Sequence, residues 1–394
     1  MTNPRTGPPQ EHDVVVLLDE IVRRATIKRA SDIHLEPKRE RMVVRMRIDG
    51  AMVEDGVLSA DVAAQVVSRV KVLARMDIAE RRMPQDGQLT VEPTPGTRVH
   101  LRASSFPCVF GEKVVLRLLL GQELIGFEQL GLHPDVRARV AEIVRRPQGF
   151  IVTCGPTGSG KTSTLYSFMQ LLDTARVNVM TLEDPVEVDI GSITQGQTHP
   201  RAGFTFATGL RAILRQDPDV ILVGEIRDSE TASIALQAAL TGHLVLTTLH
   251  TSSTVETIVR LVDLGIEPWV VANALSAVLA QRLVRAVCPM CRETVKLEAD
   301  LWDNDEVLLP AGSPIIRPRG CNACHRTGYK GRLGIFEVLV VDDELRDLIK
   351  AKAGQREYRD WLRTRHSFSL RRIGFERVRE GLTTVDEVMR VTSS

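Results

Sequence analysis

Residues 155–162 read Gly-Pro-Thr-Gly-Ser-Gly-Lys-Thr. They lie between an apolar run, Phe150–Cys154, and a stretch whose apolar residues recur at helical spacing. A strand, a glycine-rich turn and a helix in that order make a triphosphate-binding loop. Gly155, Gly158 and Gly160 let backbone N–H groups converge on phosphate oxygens, and the helix N-terminus favours their charge. Pro156, Thr157 and Ser159 complete the loop. Lys161 is spaced to reach the β- and γ-phosphates, and the Thr162 hydroxyl to ligate Mg2+. The alternative is an accidental glycine-rich turn, which the two flanks argue against.

A phosphate loop also needs an acidic group for its metal and a group that aims the attacking water. PDVILVGEIRD puts Glu225 just beyond an apolar run, and VNVMTLEDPVE does the same for Glu183 and Asp184. A carboxylate after a buried strand is usually a solvated loop residue. Two of them on strands of one sheet, beside a phosphate loop, favour chemistry over that bland reading. His243 and His250 flank the run LVLTTL. Lone histidines are more often core or surface residues. His250 follows the strand, where a γ-phosphate sensor could sit, whereas His243 precedes it and geometry alone gives it no task.

Six cysteines occur. Cys288, Cys291, Cys321 and Cys324 make two CxxC pairs, separated by residues 292–320. Four thiolates close a tetrahedral zinc site with no open position, which implies a structural role. A redox dithiol and plain burial remain the competing readings, though neither pair sits in a thioredoxin-like pattern. Cys108 and Cys154 are solitary, and Cys154 reads as a small core residue.

These groups need a scaffold larger than one ordinary domain, and 394 residues with 43% hydrophobic composition supply two or three. A net charge of +1 and 4% aromatics argue against a basic, aromatic nucleic-acid groove, while leaving room for local basic patches. The polar, Pro-rich start has no signal-peptide core, and no apolar run approaches the ~20 residues of a membrane span. The expected location is therefore cytoplasmic, with membrane contact only through partners. Residues 1–12 read as a disordered tail and 13–122 as an α/β domain opening on a helix with Val14, Leu17, Leu18, Ile21, Val22 and Ala25 on one face. Residues 123–130 read as a linker. FIVTC, VNVMTL, VILVG and LVLTTL then predict central parallel strands with helices on both faces, residues 131–287. Ligands of such sheets bind beyond the strands' carboxyl ends, where the chemistry-bearing residues lie. The cysteine module takes 288–334 and a helical segment 335–394, in which Thr384 and Glu387 suggest a capping box.

Taken together, GPTGSGKT, TLEDPVE, ILRQDPDVILVGEIRD, TGHLVLTTLHT and the early ASDIHLEP closely resemble the motifs of the type II secretion and type IV pilus assembly ATPases. The resemblance runs from about residue 13 to the end. It implies a PAS-like N-terminal α/β domain joined to a RecA-like P-loop ATPase domain, with nucleotide between them. It further implies a homohexameric ring peripheral to the inner membrane, partnered by an inner-membrane platform and the cytoplasmic-facing parts of a secretion or pilus machine, using ATP, Mg2+ and Zn2+. Under it Glu225 matches the atypical Walker B glutamate, a catalytic and magnesium-holding position, and Glu183 the glutamate that orients or activates water. His243 and His250 match the "His box". Arg102 matches an arginine that the N-terminal domain delivers to the γ-phosphate. The chain departs from the pattern at MPQDGQ, where Gln88 replaces the usual arginine, leaving Arg102 and a neighbour such as Arg117 to supply the charge. The tetracysteine module resembles that of secretion and pilus-extension members and is generally lacking in retraction ATPases. Secretion members often carry an extra N-terminal docking domain for which this chain has no room, so secretion and pilus assembly both stay open. A nucleic-acid translocase and a nucleotide-binding scaffold with little turnover are the rival functions.

Overall fold

The computed structural model describes residues 11–119, 124–303, 306–365 and 369–393. The chain divides into two compact units, Met1–Gln122 and Glu123–Ser394. Residues 1–10 of the expected tail lie outside the described residues, as do 120–122 of the first expected domain and 123 of the expected linker; Glu11 already begins a helix.

In the first unit, α1 (Glu11–Ile27) and α2 (Ala60–Leu73) pack on an antiparallel sheet. Its strands are β1 (Ala30–Pro37), β2 (Arg41–Ile48), β3 (Ala51–Ser59), β4 (Gln85–Thr94), β5 (Thr97–Cys108) and β6 (Gly111–Leu118), in the order β3-β2-β1-β6-β5-β4. The helical stripe read from the sequence is the buried one: Val14, Leu18, Ile21, Val22 and Ala25 all enter the core. Strand β5 alternates cleanly, with Val99, Leu101 and Ala103 buried between exposed Arg98, His100 and Arg102. One face therefore meets the helices and the other carries polar side chains.

The second unit is built on a seven-stranded sheet, β17-β12-β7-β11-β10-β8-β9. First along the chain come α3 (Pro134–Val144), β7 (Gly149–Cys154), α4 (Lys161–Met169), β8 (Val179–Glu183), β9 (Thr194–Gln197) and α5 (Phe206–Ile213). Then follow β10 (Val220–Val223), α6 (Ser229–Leu240), β11 (Leu244–Leu249), α7 (Thr254–Asp263), α8 (Pro268–Ala274) and β12 (Leu275–Val287). All pairs from β12 to β9 are parallel. Because side chains alternate, Phe150, Val152 and Cys154 of β7 join the core under α5–α8, while Ile151 joins the one under α3 and α4. The four strands expected at the centre are all there, with helices on both faces as anticipated. Side-chain oxygens at Thr205, Asp228 and Ser253 accept amide hydrogens at the starts of α5, α6 and α7.

The remaining elements are β13 (Arg292–Lys296), β14 (Leu301–Asp303), β15 (Glu306–Leu309), β16 (Pro314–Pro318), β17 (Tyr329–Val340), α9 (Asp343–Lys350), α10 (Gln355–Thr364), α11 (Leu370–Arg379) and α12 (Val385–Thr392). Three details differ from the sequence reading. The described part of the expected 123–130 linker does not hang free, because Phe127 and Leu130 are buried against the second unit's core, Phe127 edge-on to Phe168. The division at 334/335 cuts through β17, which runs antiparallel to β12 from Tyr329 to Val340 and forms the sheet's edge. Thr384 does cap α12, accepting from the Glu387 amide at 3.3 Å, but the Glu387 carboxylate leaves the box for Arg285 and Arg390. Guanidinium partners hold a buried carboxylate more strongly than a single cap amide does.

Candidate nucleotide and metal sites

Strand β7 ends at Cys154, beside Ala280 of β12 and Leu249 of β11, and the glycine-rich loop leaves the sheet there. Gly155 (φ +150°) and Gly160 (φ +87°) adopt backbone conformations that side chains rarely take. They are also closely approached: a Cβ on Gly155 would sit 2.6 Å from the Gln281 carbonyl oxygen, and one on Gly160 2.9 Å from Gln281 Nε2. Lys161 Nζ donates to the carbonyls of Gly155 (2.8 Å) and Pro156 (3.1 Å), and burial lowers its pKa from the ordinary lysine value. Ser159 Oγ is buried with no hydrogen-bond partner among the described residues. A tight glycine loop at a helix N-terminus, holding a buried ammonium and an orphaned hydroxyl, fits a polyphosphate. Thr162 lies in the first turn of α4, where it would hold a magnesium ion; that ion's contribution is to neutralise charge on the phosphates.

Glu183 ends β8 and is buried. Its carboxylate accepts from the Tyr166 hydroxyl, from Thr181 Oγ1 at 2.5 Å and from Gln195 Nε2 at 3.1 Å. Burial, then the adjoining Glu183, pushes the Tyr166 phenol pKa up, so it remains a donor. Tyr166 lies four residues after Thr162 on α4, and such pairs share a helix face. Tyr166 thereby ties the Glu183 carboxylate to the helix that begins at the phosphate loop.

Glu225 follows β10, and His250 follows the adjacent strand β11, so their side chains meet at 3.1 Å through His250 Nε2. Arg227 Nη2 donates to the other Glu225 oxygen at 2.5 Å. Burial disfavours the Glu225 carboxylate, but the Arg227 and His250 contacts outweigh it and lower its pKa. His243 is not brought to this cluster. Its carbonyl accepts from Gly149 at the start of β7, and its Nδ1 lies 2.9 Å from the Ala238 carbonyl. With Leu244 opposite Gly149 and Leu249 opposite Cys154, His243 lies one residue before the strand, and about six steps of ~3.3 Å put it roughly 20 Å from the loop's edge of the sheet. Within one chain, His250 thus meets Glu225, and His243 sits at the opposite end of β11, before the strand, as its place in the sequence implied.

In the first unit, Arg102 is exposed on the polar face, flanked across the sheet by Gln88 and Arg117. Arg117 is tied to Asp32 at 2.9 Å, whereas Arg102 makes no ion pair among the described residues. The neighbour expected to share its role is already engaged.

The cysteine sulfurs of 288, 291, 321 and 324 all lie within 4.8 Å of one another. Three pairs measure 4.0 Å (Cys288–Cys321), 3.8 Å (Cys291–Cys324) and 3.8 Å (Cys321–Cys324). Zinc–sulfur bonds of about 2.3 Å at tetrahedral angles require sulfur separations near ~3.8 Å, so the donor set fits a zinc ion. Burial opposes the Cys324 thiolate, but amides of Cys321 and Gly328, each 3.2 Å from its sulfur, favour it and bring its pKa to about 6. Cys154 is buried, and its thiol pKa rises to about 11 by desolvation.

Sequence reasoning missed Tyr166, Thr181 and Gln195 around Glu183, Arg227 on Glu225, and Gln281 with Arg282 against the loop. Only the last pair left a signal: a Gln-Arg step inside the otherwise apolar AVLAQRLV.

The family model for type II/IV secretion system proteins matches residues 9–390. Type II secretion system protein E of Pseudomonas aeruginosa is 47% identical over 97% of this chain and 76% of its own length. Type II secretion system ATPase E of Vibrio cholerae is 44% identical over 96% and 75%. Among solved structures, the pilus retraction motor PilT with bound ADP superposes with a TM-score of 0.63 at 26% identity, covering 95% of this chain and 97% of that one.

Proposed function

Because this chain belongs to the type II/IV secretion system protein family, we propose that it is an ATPase that hydrolyses ATP at residues 155–162 to drive pseudopilus or pilus assembly and, through it, protein secretion. The observation that carries the reading is the convergence of a buried lysine, an orphaned Ser159 hydroxyl and two partnered carboxylates at the carboxyl edge of one parallel sheet. Lys161 and Ser159 bind the phosphates, and Thr162 with Glu225 holds magnesium. Glu183, fixed by Tyr166, Thr181 and Gln195, aims the attacking water, and His250 orients Glu225. Arg102, which makes no ion pair among the described residues, is the arginine that the family resemblance assigns to the γ-phosphate. Hydrolysis then changes the relation between an N-terminal domain (13–122) and the ATPase domain that begins after the linker. Six copies close head to tail into a ring. The four cysteines bind zinc as a structural staple. Among the described residues no helix is long and apolar enough to cross a membrane, so attachment to the inner membrane would run through a platform partner.

Phosphate release by the wild type beside Glu183→Gln tests this reading. Turnover well above background, lost in the variant, is expected; equal, background-level rates would favour a nucleotide-binding scaffold.

A further inference from the structure

Strand β12 does not stop where β7 gives way to the phosphate loop. Its pairing with β7 ends at Ala280, opposite Cys154, and the strand continues alongside the loop. Gln281 and Arg282 are the first two residues of that extension, and both are buried. Gln281 faces inward: its Oε1 accepts from Thr164 on α4 at 2.8 Å. Arg282 reaches around the loop's base. Its Nη1 donates to the Gln281 carbonyl at 3.0 Å and would lie 3.3 Å from a Cβ placed on Gly155. Its Nη2 donates to the Ser252 carbonyl at 2.9 Å, two residues beyond His250.

What this arginine lacks is a carboxylate in direct contact. Among the described residues it forms no ion pair, and its hydrogen bonds go to carbonyls alone. The acidic groups nearest in effect, Glu337 and Glu256, act on it only from beyond contact distance and hydrogen-bond to other groups. Glu337 accepts from the Thr254 amide and hydroxyl, Glu256 accepts from the Ser252 amide and hydroxyl, and Cys154 is a neutral thiol at neutral pH. Lys161, the other buried cation here, is likewise held by carbonyls alone. Burial lowers the pKa of both, and each is a like charge to the other. A buried cation with no anion in contact is costly, and two side by side are costlier still unless an anion enters between them.

We propose that Arg282 is a second phosphate-site cation, whose charge is balanced by the nucleotide's polyphosphate and whose Ser252 bond ties the loop bearing His250 to the occupied site. The inference rests on nucleotide binding at residues 155–162 but not on hydrolysis.

Binding of ADP, and of pyrophosphate in competition with ADP, should be measured with Mg2+ for the wild type, Arg282→Gln and Arg282→Lys, together with each protein's ligand-free melting temperature. Arg282→Gln keeps donors for the carbonyls but removes the charge. It should weaken both ligands by the same factor, about ten-fold or more. Arg282→Lys should recover most of that loss. The ligand-free melting temperature of Arg282→Gln should equal or exceed that of the wild type. A merely structural arginine gives the opposite pattern: both variants melt lower without ligand, and the surviving fold binds ADP and pyrophosphate like the wild type. Loss of ADP affinity with pyrophosphate unaffected would also overturn the proposal. Wild type that binds no ADP would overturn the nucleotide reading itself, and this inference with it.

Discussion

Replacing Glu387 by Gln tests how the C-terminal helix is held to the strand that walls the phosphate loop. Glu387 is 1% exposed and accepts four hydrogen bonds: the Arg285 amide at 2.9 Å, Arg285 Nη2 at 2.7 Å, Arg390 Nε at 3.0 Å and Arg390 Nη2 at 2.8 Å. Arg285 also lies 4.0 Å over the Tyr329 ring, whose hydroxyl is 3.0 Å from Thr384 Oγ1. Burial alone would raise this carboxyl's pKa, yet the Arg390 and Arg285 bonds lower it from 4.5 to about 2. A fall of roughly 2.5 at 1.36 kcal/mol per pH unit corresponds to about 3 kcal/mol of stabilisation. Because the folded-state pKa lies below the unfolded one, that stabilisation is complete above about pH 4.5 and lost as pH falls toward about 2. About 2 kcal/mol of it should be gone by pH 3. Native-state hydrogen exchange of the amides in Val385–Thr392 provides the readout. At pH 7 Glu387→Gln should lower their protection by about 3 kcal/mol, the stabilisation that the Arg285 and Arg390 bonds give the buried carboxylate. The gap between variant and wild type should narrow to about 1 kcal/mol at pH 3. Equal protection at pH 7, or a gap of unchanged size at pH 3, would refute the reasoning.

Metal analysis of freshly purified protein should find one zinc per chain, and chelation or Cys321→Ser should raise hydrogen exchange across residues 288–324 while ADP binding persists; protein free of zinc would count against the site. His250→Ala should lower kcat about ten-fold or more with little change in nucleotide affinity, since the ring acts through Glu225 rather than on the phosphates; an unchanged kcat would remove His250 from the site. Thiol alkylation of the native protein at pH 7 should label exposed Cys108 and spare buried Cys154, followed by peptide mass mapping; early labelling of Cys154 would contradict its burial and its pKa of about 11.

What could be read from the sequence was whatever the chain states locally. The central strands are unbroken apolar runs, and the phosphate loop, with Glu183, Glu225 and His250, follows them at strand ends. The four cysteines announce themselves by spacing, and the α1 stripe by its period. Elements that owe their form to distant partners were not legible. Strand β3 carries Glu54, Asp55 and Gly56 and is held by its ladder to β2 and by ion pairs of Asp55 with Arg24 and Lys28. Strands β12 and β17 pair across the intervening residues 288–328, so the cysteine module seemed to begin a new domain where the sheet in fact continues. Residues with no motif of their own, such as Tyr166, Gln195 and Arg282, become meaningful only once the sheet order puts them beside Glu183 or the loop. His243 shows the converse: its motif is plain, but the register sends it to the other end of the strand.

The most direct test of the central claim is steady-state phosphate release at saturating Mg–ATP by the full chain and by Lys161→Ala. The account predicts measurable turnover in the wild type and background release in a variant that retains its circular-dichroism spectrum. Equal turnover in the two proteins would contradict it.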